Sequence, residues 1–169
     1  MKAITNTTAS SLEWREPTAL EPRFELHSGD EVLATMALEP LCRTLATAET
    51  AEGTWTFRQT GTLSTTVHVR EVGSDQDLAV FHPGFLGRGT LRFASGENFR
   101  WRRDHPRGNW SFRGEDGKPL LTLRLEKEPP GVPWPHRTQA EVEISPAERS
   151  NPRIPLLTAF GWYLILLHQ

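Results

Sequence analysis

The chain has 169 residues, of which 37% are hydrophobic and 24% charged, and six Trp and eight Phe supply bulky core material. This length fits one domain with one core, and the aromatic content argues against disorder of the whole chain. The net charge of −2 provides no global field that would attract nucleic acid or a membrane surface. The single cysteine, Cys42, excludes an internal disulfide framework and a cysteine-based zinc site, and we expect it to be a small buried hydrophobe.

The N-terminal stretch MKAITNTTASSLEWREP contains one Lys but no apolar segment of the length that a secretory signal requires. We therefore expect a cytoplasmic protein. No shift in composition marks a linker with a second domain behind it, so residues 1–169 are predicted to form a single domain.

Short stretches of alternating apolar and polar residues recur along the chain, separated by Gly, Pro, Asp and Asn. This pattern predicts an antiparallel all-β domain of about ten to twelve strands. The segment RFELHSGDEVLATMAL predicts an early hairpin. Residues 40–52 are ambiguous, because Leu41, Leu45 and Ala48 also fit one face of a helix, and a strand is the favoured interpretation. The later candidate strands are TWTFRQ, TTVHVREV, LAVFHP, GTLRFA, NFRWRRD, NWSFRG, LLTLRLE and AEVEIS.

The segments NFRWRRD and NWSFRG, joined by the turn-rich DHPRG, predict a hairpin. Their aromatic residues are expected to point inward and the residues between them outward, because successive side chains of a strand alternate between its two faces. The outward set is Arg100, Arg102, Ser111 and Arg113. In TTVHVREV the inward set is Val67, Val69 and, at the end of the strand, Glu71.

Four prolines lie between Pro129 and Pro135 in the segment EKEPPGVPWPHR. Because proline cannot donate to a hydrogen-bond ladder, this segment is predicted to be a surface loop within the domain and not a central strand. Only one candidate strand and the C-terminal apolar run follow it, which is too little for a second domain.

From Ile154 to Leu167 only Thr158 and Gly161 interrupt a run of apolar residues and proline. A helix over this run would be about 20 Å long, shorter than the roughly 30 Å of a bilayer core, so no transmembrane span is expected. Its apolar residues occupy every side of the helical wheel, which is typical of a helix enclosed on all sides. A buried central helix over about 154–167 is the favoured interpretation; a buried strand and a tail anchor or oligomerisation element are the alternatives.

These two features together predict the fold. A closed barrel of this many strands has a lumen that strand side chains alone do not fill, and one apolar helix would fill it. We therefore expect a mainly β protein, a closed antiparallel barrel around a buried hydrophobic C-terminal α-helix. Closure would also leave no strand edge unpaired.

Several weak motifs follow one another between residues 53 and 167. They are Gly-x-Leu (Gly89, Leu91), Gly-x-x-aromatic-x-Trp (Gly96, Phe99, Trp101), Trp-x-Phe (Trp110, Phe112), Gly before a Leu pair (Gly117, Leu120, Leu121) and the terminal apolar run. Their order resembles the tubby C-terminal-like superfamily, which includes the LURP-one-related and phospholipid scramblase proteins. The resemblance implies a barrel of about 12 strands around a hydrophobic helix. The resemblance implies less about function, because the superfamily includes phosphoinositide-binding domains, proteins linked to membrane lipid movement and many small members without an established activity. The Cys-rich and calcium-binding acidic segments of the scramblase type are not found in the sequence, which argues against lipid scrambling.

Positive charge is concentrated in residues 88–113, which contain seven Arg against Glu97 and Asp104. Clustered guanidinium groups suit phosphate recognition, so this region is predicted to bind anionic phospholipid headgroups or another polyanion. The alternative is a solvated exterior whose arginines pair with carboxylates such as Glu115 and Asp116 as well as those two. The candidate binding residues are Arg92, Arg100, Arg102, Arg103, Arg107 and Arg113, with Arg103 and Arg107 placed in the hairpin turn.

The sequence contains no constellation that indicates catalysis. Its six histidines lack the paired spacing of metal ligands, and no Ser or Cys lies in a nucleophile motif, so neither a metal nor a cofactor is expected. The aromatics of residues 99–113 are needed in the core, so nucleic acid is not an expected partner. The favoured function is a non-enzymatic binding or scaffold module, peripheral to anionic membranes or bound to a protein partner. The alternatives are a small-molecule carrier barrel and a tail-anchored or oligomerising protein.

Overall fold

In the computed structural model, which describes residues 1–18, 20–104, 108–126 and 139–168, twelve antiparallel strands close into a barrel around one α-helix. Each strand pairs with the next along the chain, and the first pairs with the last, with Leu12 opposite Val142 and Trp14 opposite Ala140. The predicted fold class is confirmed. The strands are β1 (Leu12–Arg15), β2 (Arg23–Ser28), β3 (Glu31–Glu39), β4 (Cys42–Thr50), β5 (Thr54–Thr60), β6 (Thr66–Glu71), β7 (Ala79–Pro83), β8 (Gly89–Phe93), β9 (Asn98–Asp104), β10 (Asn109–Arg113), β11 (Pro119–Leu125) and β12 (Ala140–Ile144); the helix is α1 (Ile154–Leu167).

The sequence pattern did not single out β1, although this strand closes the barrel. It has only four residues, in which buried Leu12 and Trp14 alternate with half-buried Glu13 and Arg15. The Trp14 ring stacks on Trp162 of α1, with centroids 5.9 Å apart. So short an alternation is a weak signal, and the strand is fixed by its two neighbours and by the helix behind it.

Residues 42–50 form a strand, which confirms the favoured interpretation of the ambiguous segment, but the prediction that Cys42 is buried is wrong. Cys42 has the same parity as buried Ala46 and Ala48, yet it lies at the first residue of β4, beyond the packed interior. Glu71, at the last residue of β6, has the expected inward parity, opposite buried Trp55, but its side chain is exposed for the same reason. Alternation assigns a face, but a side chain on the inner face is buried only where the helix or another strand covers it.

The helix occupies the barrel interior. Every residue from Ile154 to Ile165 is buried, and the Phe160 ring contacts the rings of Phe57 and Phe81 at centroid distances of 5.2 and 5.6 Å. Gly161 permits a close approach to the wall, since a Cβ there would lie 3.0 Å from Leu123 Cδ1. None of the helices in the described residues has the length and apolar character needed to cross a bilayer.

Two polar contacts hold the ends of α1 to the wall. Near its C-terminus, the Tyr163 hydroxyl donates a hydrogen bond to the Thr44 carbonyl oxygen at 2.5 Å. Burial raises the pKa of Tyr163, so the phenol remains protonated and keeps donating. Before its N-terminus, Arg153 lies 2.8 Å from Glu97 Oε1 and its Cζ lies 4.1 Å from the centroid of the Phe93 ring. These contacts fix how deeply the helix sits in the barrel.

Replacing Phe160 by alanine should lower the free energy of unfolding by about 3–5 kcal/mol, because the substitution leaves a cavity among rings that cannot close over it. Phe85→Ala is the matched control, since the Phe85 side chain is 84% exposed and its removal should change stability by less than about 0.5 kcal/mol. Urea unfolding followed by circular dichroism measures both. Equal effects of the two substitutions would contradict a helix-filled lumen.

The hydrogen bond from Arg153 lowers the pKa of Glu97 below its ordinary value of 4.5. The ion pair should therefore contribute fully to stability above that value and lose its contribution as the pH falls through the lowered folded-state pKa. A double-mutant cycle with Glu97→Gln and Arg153→Gln should give a coupling on the order of 0.5 kcal/mol at neutral pH, as expected for a partly exposed pair. Urea unfolding at a series of pH values measures it, and a coupling that persists in strong acid would show that charge is not its origin.

Candidate functional site

Four of the six predicted arginines lie together on the outer surface of β8, β9 and β10. Arg100 is directly opposite Thr90 on β8 and Arg113 on β10. Arg92 is opposite Asn98, which places it diagonally across from Arg100. Because β9 lies between β8 and β10, alternation puts these side chains on one face. We call Arg92, Arg100, Arg102 and Arg113 the arginine face.

Arg113 is engaged within the protein. Its Nε donates to Ser111 Oγ at 3.2 Å, its Nη1 donates to the Gly117 carbonyl at 2.9 Å, and its Nη2 lies 3.6 Å from Asp104 Oδ2. Ser111 points outward, as predicted, and it is nevertheless fully buried. The cause is the Arg113 side chain, which lies along the strand surface and hydrogen-bonds the hydroxyl.

The other three members, Arg92, Arg100 and Arg102, are exposed. Among the described residues, no carboxylate lies within ion-pair distance of any of the three. Two of the carboxylates that could have paired with them have other partners: Glu97 contacts Arg153, and Asp104 contacts Arg113. The alternative prediction, that the arginines pair with carboxylates on a solvated exterior, therefore holds for Arg113 only. The other three guanidinium groups are available to a ligand.

Two outward arginines on other strands of the barrel are paired with carboxylates. On β1, the Arg15 Nη2 lies 2.6 Å from Glu13 Oε2, and on β11 the Arg124 Nη1 lies 3.7 Å from Glu141 Oε2. These two arginines have carboxylate partners, whereas Arg23 on β2, Arg43 on β4 and Arg58 on β5 are exposed without one among the described residues. The arginine face is distinguished by three unpaired arginines on the adjacent strands β8 and β9.

Arg103 does not belong to the arginine face. It was predicted in the hairpin turn, but it lies within β9 opposite Trp110, with its Cζ 5.2 Å from the centroid of that ring. It therefore shares the inward parity and lines a cavity of about 380 Å³ with Leu86, Ile165 and His168 at one end of the barrel. The sixth predicted residue, Arg107, and the proline-rich segment 129–135 lie outside the described residues.

The sequence did not reveal a polar cluster on β6, which β7 separates from β8 of the arginine face. His68 Nδ1 lies 2.8 Å from Asp77 Oδ2, Arg70 Nε donates to Asp77 Oδ1 at 2.7 Å, and His68 Nε2 lies 3.2 Å from Thr66 Oγ1. Partial burial alone would raise the pKa of Asp77. The hydrogen bonds from Arg70 and His68 outweigh this effect, and the pKa of Asp77 is lowered. Alternation in TVHVRE placed His68 and Arg70 outward, but nothing in the sequence specified that the following loop returns Asp77 to them.

The Thr66 hydroxyl, the His68 imidazole and the Asp77 carboxylate are arranged like the nucleophile, base and orienting group of a catalytic triad. Such a triad also needs free N–H donors that stabilise an oxyanion. Since β6 pairs with β5 and β7 on both sides, its own N–H groups belong to the sheet ladder. The cluster therefore lacks an oxyanion site on β6, and its geometry favours a surface ion-pair network. Arg58 of β5 lies directly opposite His68 and adds a positive charge to this cluster.

A cavity of about 690 Å³ lies at the end of the barrel away from Arg103, among Glu97, Glu115, Asp116 and Lys118. Most of the charged residues in its lining are acidic, and none of the four residues of the arginine face lines it. Within the described ranges, no three His, Cys, Asp or Glu side chains lie close enough to hold a metal ion.

Comparison of the chain with protein-family models, curated proteins and solved structures finds no match. The resemblance to the tubby-like superfamily therefore stays a prediction. Function must be argued from the charges and shape of this barrel.

Arg100 and Arg113 are like charges in directly opposite positions, a pairing that destabilises a sheet. Arg100→Thr should therefore raise the free energy of unfolding by roughly 0.2–1 kcal/mol, and by less at high salt. Arg92→Thr is the control, because Arg92 faces Asn98 and not another cation. Urea unfolding at low and high ionic strength measures both variants, and equal gains would show that threonine propensity, not repulsion, is responsible.

Proposed function

We propose that the protein is a non-enzymatic binding module of the tubby-like type, and that its arginine face binds anionic phospholipid headgroups at a membrane surface. One observation carries the proposal: Arg92, Arg100 and Arg102 are exposed on adjacent strands without a carboxylate partner among the described residues. Guanidinium groups bind phosphate oxygens through paired hydrogen bonds, and they do so best when they are not already paired.

The cost of the arrangement supports a ligand. Arg100 and Arg113 repel each other across β9 and β10, and the sheet gains no compensating contact from Arg100. A bound phosphate between such groups would convert this repulsion into attraction. The arginines also project from a closed sheet, which holds them at fixed spacing and reduces the ordering needed on binding.

The shape of the face favours an extended anionic surface over a small soluble ligand. Small molecules are usually held in concave pockets, whereas these side chains project from the outer wall of a barrel. A bilayer can present several headgroups to such a wall at once, and each cation near an anionic membrane contributes independently to binding.

Neither alternative function has a supporting observation in the described part of the chain. A carrier would need free volume in the lumen, which Phe160, Trp162 and Tyr163 of α1 occupy. A tail anchor or an oligomerisation element would need an accessible apolar helix, whereas α1 is enclosed from Ile154 to Ile165. The barrel wound around this helix is the architecture that the tubby-like resemblance implies, and it supports that assignment.

The test uses vesicles of phosphatidylcholine alone and vesicles that also contain phosphatidylserine or a phosphoinositide. The double variant Arg100→Gln with Arg102→Gln should bind the anionic vesicles more weakly, by about fivefold for each arginine. Arg15→Gln with Arg124→Gln is the matched control, because it removes two positive charges that already have carboxylate partners. Co-sedimentation at several salt concentrations measures the affinities.

Unchanged binding of the double variant would overturn the proposal. Inositol hexakisphosphate and heparin serve as soluble competitors and identify the source of the anion. Tight binding of these competitors without vesicle binding would assign the face to a soluble polyanion instead of a membrane.

A further inference from the structure

Exposed apolar side chains concentrate at one end of the barrel. The connections β1–β2, β3–β4, β5–β6 and β7–β8 all emerge at this end, because each strand runs antiparallel to the one before it. Each of these connections carries an exposed apolar residue near its tip, whereas at the opposite end only Val72, in the β6–β7 connection, is comparably exposed among the described connections. The residues, which we call the apolar rim, are Leu20, Leu41, Leu63, Phe85 and Leu86, with 95%, 101%, 102%, 84% and 64% of their surface exposed.

Folding does not explain the apolar rim. Leu41 and Leu63 are fully exposed, so neither contributes apolar burial to the barrel. Leu86 has a φ of 57°, in the left-handed region that a branched side chain disfavours, and Gly87 follows it with the same sign of φ. Glycine at position 86 would adopt that conformation without cost, so the leucine side chain is retained against the local backbone preference.

The two ends of the barrel also differ in charge. Among the described residues, the connections at the end of the apolar rim contain three acidic residues and one basic residue. The connections at the opposite end, including the segment before α1, contain eight acidic and three basic residues. An anionic surface would therefore repel the opposite end more strongly than the end of the apolar rim.

Two exposed arginines, Arg88 and Arg102 of the arginine face, lie near the same end, whereas Arg92, Arg100 and Arg113 lie nearer the opposite end. Arg102 is two residues from the end of β9, which corresponds to about 7 Å along the strand, and Arg88 lies in the β7–β8 connection next to Phe85 and Leu86. Cations at this height would reach the phosphate layer of a bilayer whose outer apolar boundary the apolar rim contacts.

The spacing of the apolar rim fits a bilayer better than a folded partner. The four connections are two strands apart, so their tips are roughly 10 Å from one another along the rim. A protein partner would need a separate complementary pocket for each isolated tip. A bilayer accepts separated apolar side chains without such complementarity, and amphipathic surfaces of this kind lie within its interface.

We infer that the apolar rim inserts into the acyl boundary of a membrane. The barrel axis then lies closer to the bilayer normal than to the bilayer plane, and the acidic end is directed away from the membrane. The inference and the proposed function both require a bilayer as the partner, but they rest on different residues. It assigns the protein an orientation that the arginine face alone does not define.

The first test is the triple variant Leu41→Ser, Leu63→Ser and Phe85→Ser, measured by co-sedimentation with vesicles of phosphatidylcholine and phosphatidylserine at high salt. High salt weakens the arginine contribution, so the remaining binding reports apolar insertion. The variant should lose affinity by on the order of tenfold or more, because each side chain no longer leaves water on binding. Val72→Ser, an exposed apolar residue at the opposite end, should bind as the wild type does. Equal binding of the triple variant and the wild type would overturn the inference.

The second test uses the native Cys42, which is exposed and adjacent to Leu41. A fluorophore sensitive to polarity is attached there and, in a Cys42→Ser background, to Val72→Cys at the opposite end. Vesicles should shift the emission of the Cys42 label to shorter wavelength and leave the label at position 72 unchanged. A shift at position 72 alone, or no shift at either position, would contradict the proposed orientation. A shift at Cys42 that depends on protein concentration without vesicles would assign the rim to a second copy of the chain.

The two proposals fail separately. If Arg100→Gln with Arg102→Gln leaves binding unchanged while the triple variant abolishes it, the proposed function is wrong and the apolar rim docks alone. If the triple variant binds normally and the arginine variant does not, the headgroup contact stands and the insertion is wrong.

Discussion

The structure depends on the filling of the barrel lumen by α1. Twelve strands enclose more space than their own inward side chains occupy, and the helix supplies aromatic rings to that space. Trp162 stacks on Trp14, and Phe160 packs against Phe57, Phe81 and Phe112. Within the described residues the indole nitrogens of both tryptophans lack a hydrogen-bond partner, so these aromatic contacts are held by apolar area and shape, and the polar contacts of α1 with the wall lie towards its ends.

The strands and the helix that line the barrel interior were predictable from the sequence. Period-two alternation identified most strands, and the absence of a polar side on residues 154–167 identified the central helix. Positions at the edge of the packed region were not predictable, because their burial depends on how far a neighbour extends. Cys42 has inward parity but nothing covers it, Ser111 has outward parity but Arg113 covers it, and Arg103 is an inward cation that reaches the barrel end over Trp110.

The candidate site was predictable in part for the same reason. Alternation around Trp101 placed Arg100 and Arg102 on the exterior, and the order of β8, β9 and β10 brought Arg92 beside them. Whether each guanidinium was paired could not be read from the sequence, since pairing depends on side chains brought close by other strands and loops. Substitutions on the outer surface leave the packing between α1 and the wall unchanged, so the cost of such charge is limited to repulsion between neighbouring guanidinium groups.

The place of α1 in the chain has a consequence for biosynthesis. The helix follows all twelve strands, and the barrel closes by pairing β1 with β12, so the contacts that complete the interior join distant parts of the sequence. A ribosome releases the strands, with their apolar inner faces, before the residues that cover those faces have emerged. Assembly must therefore await the end of translation of this region, and the nascent chain is a natural client for chaperones that shield exposed strands.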